Sequence, residues 1–180
     1  MRLARRALFP LVLAVIAGAG APALAAPTCQ GFMDAFAKAA PDLKAQFVRP
    51  VVVSRGATEA GAEARDLVTE FGVDARLLCN GDRFLRFEAQ IPQPAQQRVV
   101  DGFNRIQIAA AMAALRWQRQ RATQTVSAMA VDAAEYLRAS AERGDVFISG
   151  KVDRVVGRDG EIALVWTQAD RSFIVVGPVP

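Results

Sequence analysis

Cys29 and Cys79 are the only two cysteines in the 180-residue sequence, and whether they are joined decides what its first half can fold into. The compartment settles that question, because structural disulfides persist outside the cytosol and are rare inside it. The N-terminus points outside. Arg2, Arg5 and Arg6 are followed by an apolar run from Leu8 to Ala17 and by Ala23-Leu24-Ala25, a small-x-small cleavage site. Charge, apolar run and small residues, in that order, make a secretory signal peptide. Gly18, Gly20 and Pro22 break the run well short of the roughly 20 apolar residues a membrane span needs. The expectation is therefore cleavage after Ala25, with no membrane span left in the mature chain. Arg5-Arg6-Ala7-Leu8-Phe9 partly matches a twin-arginine signal, but Ala4 stands where Ser or Thr is usual, and the strong apolar run favours export of the unfolded chain. Cys29 follows Ala26-Pro27-Thr28, which is not the small apolar box that precedes a lipidated cysteine.

The chain thus reads as a signal peptide over residues 1–25 and one α+β domain over 26–180, periplasmic or secreted, with a Cys29–Cys79 disulfide. A loop of about 50 residues closed by that bond stabilises the fold by roughly 4 kcal/mol in the chain-entropy picture. Redox catalysis favours a Cys-x-x-Cys pair, and these two are far apart. Export also alters the charge. Three of the 22 Lys and Arg residues lie in the leader and none of the 18 acids does, so the mature chain carries 19 basic and 18 acidic residues, a net of +1. The basicity that might have suggested a nucleic-acid partner leaves with the leader, and no nucleic-acid partner is expected.

Hydrophobic periodicity gives the elements. Phe32, Phe36 and Ala39 share one face of a short helix over Gln30 to Ala40, with Asp34 and Lys38 four apart on another face and Pro41 as the stop. Gln46 to Arg55 reads as a strand interrupted or begun at Pro50. Ala60, Ala64, Leu67 and Phe71 fit helical spacing, but the longer alternation of Leu67, Thr69, Phe71, Val73, Ala75, Leu77 and Cys79 favours one strand. Asn80-Gly81 signals a hairpin into a strand with Leu85, Phe87, Ala89 and Ile91 on its apolar face. A three-residue connection, Asn80 to Asp82, sets Leu77 opposite Leu85 and Ala75 opposite Phe87, whereas a two-residue connection would turn the apolar faces opposite ways. Val99, Phe103, Ile106, Ala110, Ala113 and Trp117 form a helical stripe, with Ile108, Met112 and Leu115 beside it. A break at Thr123 to Thr125 precedes a second helix, Ser127 to Arg143, with Ala130, Ala133, Leu137 and Ala141 inward and Gly144 as its stop. Three strands follow, Val146 to Val156, Glu161 to Thr167 and Ser172 to Val176, joined by turn-like connections. The fold class is α+β: a mainly antiparallel sheet built from two three-stranded meanders, with two central helices and a short N-terminal helix packed on it.

The residue inventory removes many chemistries. There is no His, so Ser-His-Asp triads, Cys-His dyads and imidazole-dependent zinc or haem sites are excluded. No cofactor and no metal site is expected, and no residue is assigned a catalytic role. Gly56 to Gly61 has the glycine spacing of a phosphate loop, but Ala62-Glu63 stands where Lys and Ser or Thr are required. Gly157-Arg158-Asp159-Gly160 is a hairpin turn without the oxygen ligands of a calcium loop. Glu88, Glu135, Asp145 and Asp153 leave a carboxylate-dependent hydrolase of an envelope polymer as an alternative, although no spacing pairs any two of them. Ser149 and Lys151 share a strand face with no sign of a pocket. The candidate ligand or partner contacts are Arg116, Trp117, Arg119 and Arg121, because guanidinium and indole together grip phosphate, carboxylate or an extended polymer. Against this, Trp117 continues the apolar stripe and the arginines can simply solvate the helix end; Trp166 and Phe173 read as sheet packing. The functional expectation is a non-catalytic accessory or binding module of the bacterial envelope, contacting another envelope protein or a small ligand. Inhibition of an exported enzyme is a further alternative. Thiol titration of the mature protein, denatured but unreduced, is expected to find no free thiol.

Overall fold

The computed structural model describes residues 27–53, 61–144, 151–157, 160–167 and 169–177. The export signal, the glycine-spaced loop up to residue 60, Asp145 and Ser149 lie outside these residues, as do the side chains of Lys151 and Asp153. In chain order the elements are α1 (Cys29–Ala39), a 3-10 turn (Pro41–Leu43), β1 (Gln46–Phe47), β2 (Val51–Val53), β3 (Ala62–Val68), β4 (Asp74–Asn80), β5 (Arg83–Pro92), α2 (Gln97–Leu115), α3 (Arg119–Glu142), β6 (Lys151–Gly157), β7 (Gly160–Trp166) and β8 (Asp170–Val176). The fold is α+β. One antiparallel sheet runs β1-β3-β4-β5-β8-β7-β6, with β2 continuing the β1 edge against β3. The second meander, β6-β7-β8, folds back so that its last strand pairs with β5, the last strand of the first.

The short N-terminal helix begins where Thr28 accepts a 2.9 Å hydrogen bond from the Gly31 amide, and it buries Cys29, Phe32, Phe36 and Ala39. That apolar face completes an aromatic cluster. Phe32 stacks on Phe84 with ring centroids 4.8 Å apart and lies 5.5 Å from Phe87, while Phe36 lies 5.7 Å from both Phe47 and Phe87. Cys29 and Cys79 are joined, their Cα atoms 6.1 Å apart, so α1 is bonded covalently to β4 beside this cluster. Helix α2 lies centrally, touching α1, α3 and strands β5, β7 and β8. Its alanines Ala109, Ala110, Ala111, Ala113 and Ala114 are all buried, and their small side chains permit that close approach.

The alternation from Leu67 to Cys79 is two strands, not one. The chain reverses at Glu70-Phe71, with Gly72 at φ +70°, and β4 pairs back onto β3. Phe71 is apolar for a reason that has nothing to do with a strand face. It packs on Gly102 of α2, where an added methyl would meet the Phe71 side chain at 2.5 Å. Arg98 and Arg105 stand 5.7 and 5.9 Å from its ring centroid.

The β4–β5 hairpin also differs from the expected register. Asn80 pairs with Arg83, leaving a two-residue connection, Gly81-Asp82, with Gly81 at φ +57°. A register shift on the β5 side of Leu78 and Cys79 restores the faces: Cys79 pairs with Phe84, Leu78 with Arg86, and Leu77 with Phe87. Leu85 is the extra residue of this bulge and is only half-buried, while Phe84 takes its place in the core. A bulge inserts one residue on one strand and so rescues a register that a tight turn would invert.

The break between the central helices falls at Arg116-Trp117-Gln118, not at Thr123 to Thr125. Thr123 and Gln124 are exposed within α3, whose buried face is Ala122, Val126, Met129 and Ala133. Ala130 and Leu137 are half-buried, and Ala141 faces solvent while Ser140 is buried. The polar triplet is the solvent face of an amphipathic helix.

Two substitutions probe this packing. Phe32→Ala is expected to cost about 3–5 kcal/mol in denaturant unfolding. Gly102→Ala is expected to cost about 1–3 kcal/mol through overpacking against Phe71. The Gly102→Ala cost should largely vanish in a Phe71→Ala background, because the two sites share that contact.

Candidate functional site

The four residues singled out from the sequence meet at the corner between α2 and α3, where they divide into different roles. Trp117 is buried, and the Arg121 guanidinium lies 4.1 Å from its ring centroid. Arg119 donates to the Ala39 carbonyl oxygen at the end of α1. Arg116 is exposed, as Arg119 and Arg121 are, but among the described residues it makes no bond of this kind. It caps α2 in the left-handed region, at φ 54°. That conformation costs a residue with a Cβ roughly 1–2 kcal/mol and is the position where glycine is usual.

Arg116 and Trp117 line a groove of about 650 Å³ between α1 and the end of α2. Pro27 and Thr28 close one end, Gly31, Ala35, Lys38 and Ala39 form the α1 wall, and Met112 and Ala113 continue the α2 wall. The α1 residues follow from helical spacing: Phe32 and Phe36 point into the core, so Gly31 and Ala35, one position earlier on each turn, lie beside that face. The lining contains two cations and no carboxylate. Lys38 is exposed. Its expected i,i+4 partner, Asp34, instead accepts a 2.9 Å hydrogen bond from Gln30. Among the described residues neither Lys38 nor Arg116 takes part in an ion pair. Sequence reasoning missed Lys38 and the groove wall. The available signal was the four-residue recurrence of Gly31, Ala35 and Ala39, small residues that leave a helix surface low.

A second concavity, about 610 Å³, lies across strands β3, β4, β5 and β8 on the sheet face opposite the aromatic cluster. Cross-strand partners Asp66, Arg76, Glu88 and Ile174 form one side and Asp74, Gln90 and Ser172 the other. Arg76 Nε donates to Asp66 at 2.7 Å, and Arg86 pairs with Glu88 on their own strand. The hydrogen bond to Asp66 raises the Arg76 pKa above its ordinary value, burial opposes that, and the charges of Asp66, Glu88 and Asp74 add to it. This arrangement bears on the hydrolase alternative. Of the four carboxylates read as candidates, Glu88 is in the trough and Glu135 is exposed on α3. Along the row of strand partners the next carboxylate from Glu88 is Asp66, with the Arg76 guanidinium between them, while Asp74 stands diagonally across from Glu88 on β4.

On the helix-covered side, Arg171 lies 3.4 Å from the Trp166 ring centroid. Its guanidinium pKa is lowered by burial, and Phe173 is buried on the same strand. Among the described residues no three Cys, Asp or Glu side chains gather in a way that could hold a metal ion. Among them too, no helix is long and apolar enough to cross a membrane. No protein-family model, no curated protein and no solved structure matches the chain.

Replacing Arg116 by Gly removes the left-handed strain and is expected to stabilise the protein by about 1 kcal/mol. In a thermal melt, the corresponding rise in Tm is roughly 2–4 °C. An unchanged or lowered Tm would show that Arg116 makes compensating contacts.

Proposed function

We propose that the chain is exported, loses residues 1–25, and serves in the bacterial envelope as a non-catalytic binding module whose contact site is the groove between α1 and α2. The observation that carries this reading is Arg116: an exposed arginine, in no ion pair among the described residues, held at φ 54° where glycine would be more stable. Non-glycine residues in strained backbone persist at functional sites when the surrounding structure holds them there. Trp117, Arg119 and Arg121 supply that hold by burial, by the bond to Ala39 and by the cation–π contact. The lack of His and the disulfide engagement of both cysteines leave few catalytic nucleophiles or bases. A groove of this volume falls in the range of small-ligand sites.

The test is native mass spectrometry of the protein recovered from the envelope of an expressing bacterium. The expected species begins at Ala26 and carries a bound ligand or partner that is lost in Ala35→Leu, which fills the groove. Retention of the leader would overturn the export reading. A bare wild-type chain that turns over cell-wall fragments, with turnover lost in Glu88→Gln, would replace the binding reading by the hydrolase.

A further inference from the structure

We infer that the occupant of the α1–α2 groove is a single-chain anionic amphiphile of the fatty-acid type; this rests on the binding reading above and names its ligand. Three features of the groove converge on this class. Along the middle of the groove its walls present small or flexible apolar groups, the methyls of Ala35 and Ala113 and the thioether chain of Met112, with the Trp117 ring at the end of α2. Such a surface offers an extended hydrocarbon contact without directional demands, and Met adapts to irregular shapes. Each wall then carries one cation, Lys38 on α1 and Arg116 at the end of α2, and the lining carries no negative charge. The lining thus carries a net positive charge although the mature chain as a whole is nearly neutral, and that complementarity selects an anion.

The eleven residues from Thr28 to Lys38 span about 15 Å of helix axis, and a groove of about 650 Å³ along them lies within the range of small-ligand sites.

The experiment titrates the mature protein, residues 26–180, with dodecanoate below its micelle threshold and follows Trp117 emission in a Trp166→Phe background. Calorimetry on the protein with both tryptophans gives an independent measure. Dodecanol, dodecyltrimethylammonium and an acidic amphipathic peptide are run in parallel. Saturable one-to-one binding of dodecanoate is expected. Dodecanol and the cationic amphiphile should bind at least about tenfold more weakly, as should dodecanoate to the Lys38→Ala/Arg116→Ala double variant. Ala35→Leu, at a half-buried position of the groove wall and with its fold checked by near-ultraviolet circular dichroism, should abolish binding. The amphiphile assignment falls if affinity ignores the head-group charge or if dodecanoate gives no saturable response. If the acidic peptide alone binds, in a manner sensitive to Ala35→Leu, the groove keeps its role and the ligand class is replaced. Binding of any probe unaffected by Ala35→Leu would move the site elsewhere and overturn the binding reading as well.

Discussion

The attachment of α1 to the sheet is the constraint on which the rest of the structure depends. An isolated helix of eleven residues is marginal in water, so α1 exists because something holds it. Three kinds of interaction do so at one place. The Cys29–Cys79 bond fixes its first residue to β4. The Cys29 amide donates to the Asp82 carbonyl at 2.7 Å, and the Phe84 amide donates to Pro27 at 3.4 Å. Phe32 and Phe36 then fill the aromatic cluster over β4 and β5. Each reinforces the others: the covalent bond limits where the helix can start, and the rings limit how it can rotate. Because α1 is also one wall of the groove, the geometry of the site is inherited from this anchoring.

Much of that arrangement was legible in the residues, and where it was not the reasons are local. The apolar faces of α1, α2 and β5 follow from simple periodicity, and the pairing of the cysteines was expected from their even count and from the export signal read at the N-terminus. The β4–β5 hairpin was legible in its faces but not in its turn. Arguing that the faces must match demanded an odd connection, whereas the chain uses the tight Gly81-Asp82 turn and corrects the mismatch with Leu85. A bulge leaves no mark in a period-two pattern except two apolar residues, Phe84 and Leu85, side by side. Phe71 misled in the opposite direction. Its apolar character belongs to a hairpin tip docked on α2 at Gly102, and a contact so distant in sequence cannot be read from alternation.

The site divides in the same way. Arg116 and Trp117 stood out as a guanidinium beside an indole, and both line the groove. Arg119 and Arg121 share that local pattern but are drawn into structural roles by groups far away or buried, the Ala39 carbonyl and the Trp117 ring. Lys38 was invisible as a site residue because a helical i,i+4 carboxylate offered it an ordinary partner. The structure gives Asp34 to Gln30 instead. That is a small preference: exposed ion pairs on helices stabilise by only about 0.3–0.5 kcal/mol, so local competition decides which side chain wins.

The two concavities show why charge arrangement matters more than charge count. The trough on the far face of the sheet contains more ionisable groups than the groove, but its lining is acidic, Asp66, Asp74 and Glu88 against Arg76, with Asp66 bonded to Arg76 and Glu88 to Arg86. The groove has only Lys38 and Arg116, but no carboxylate lines it and each cation stands on a different helix. Under the proposed removal of residues 1–25 three arginines leave and the remaining chain is nearly balanced in charge. Long-range attraction of anions by the whole molecule would then be weak, and in the proposed binding role discrimination would fall to the cations and the apolar walls of the groove together. The proposed ligand has to satisfy both at once, which disfavours small hydrophilic anions for want of apolar contact and neutral hydrocarbons for want of charge.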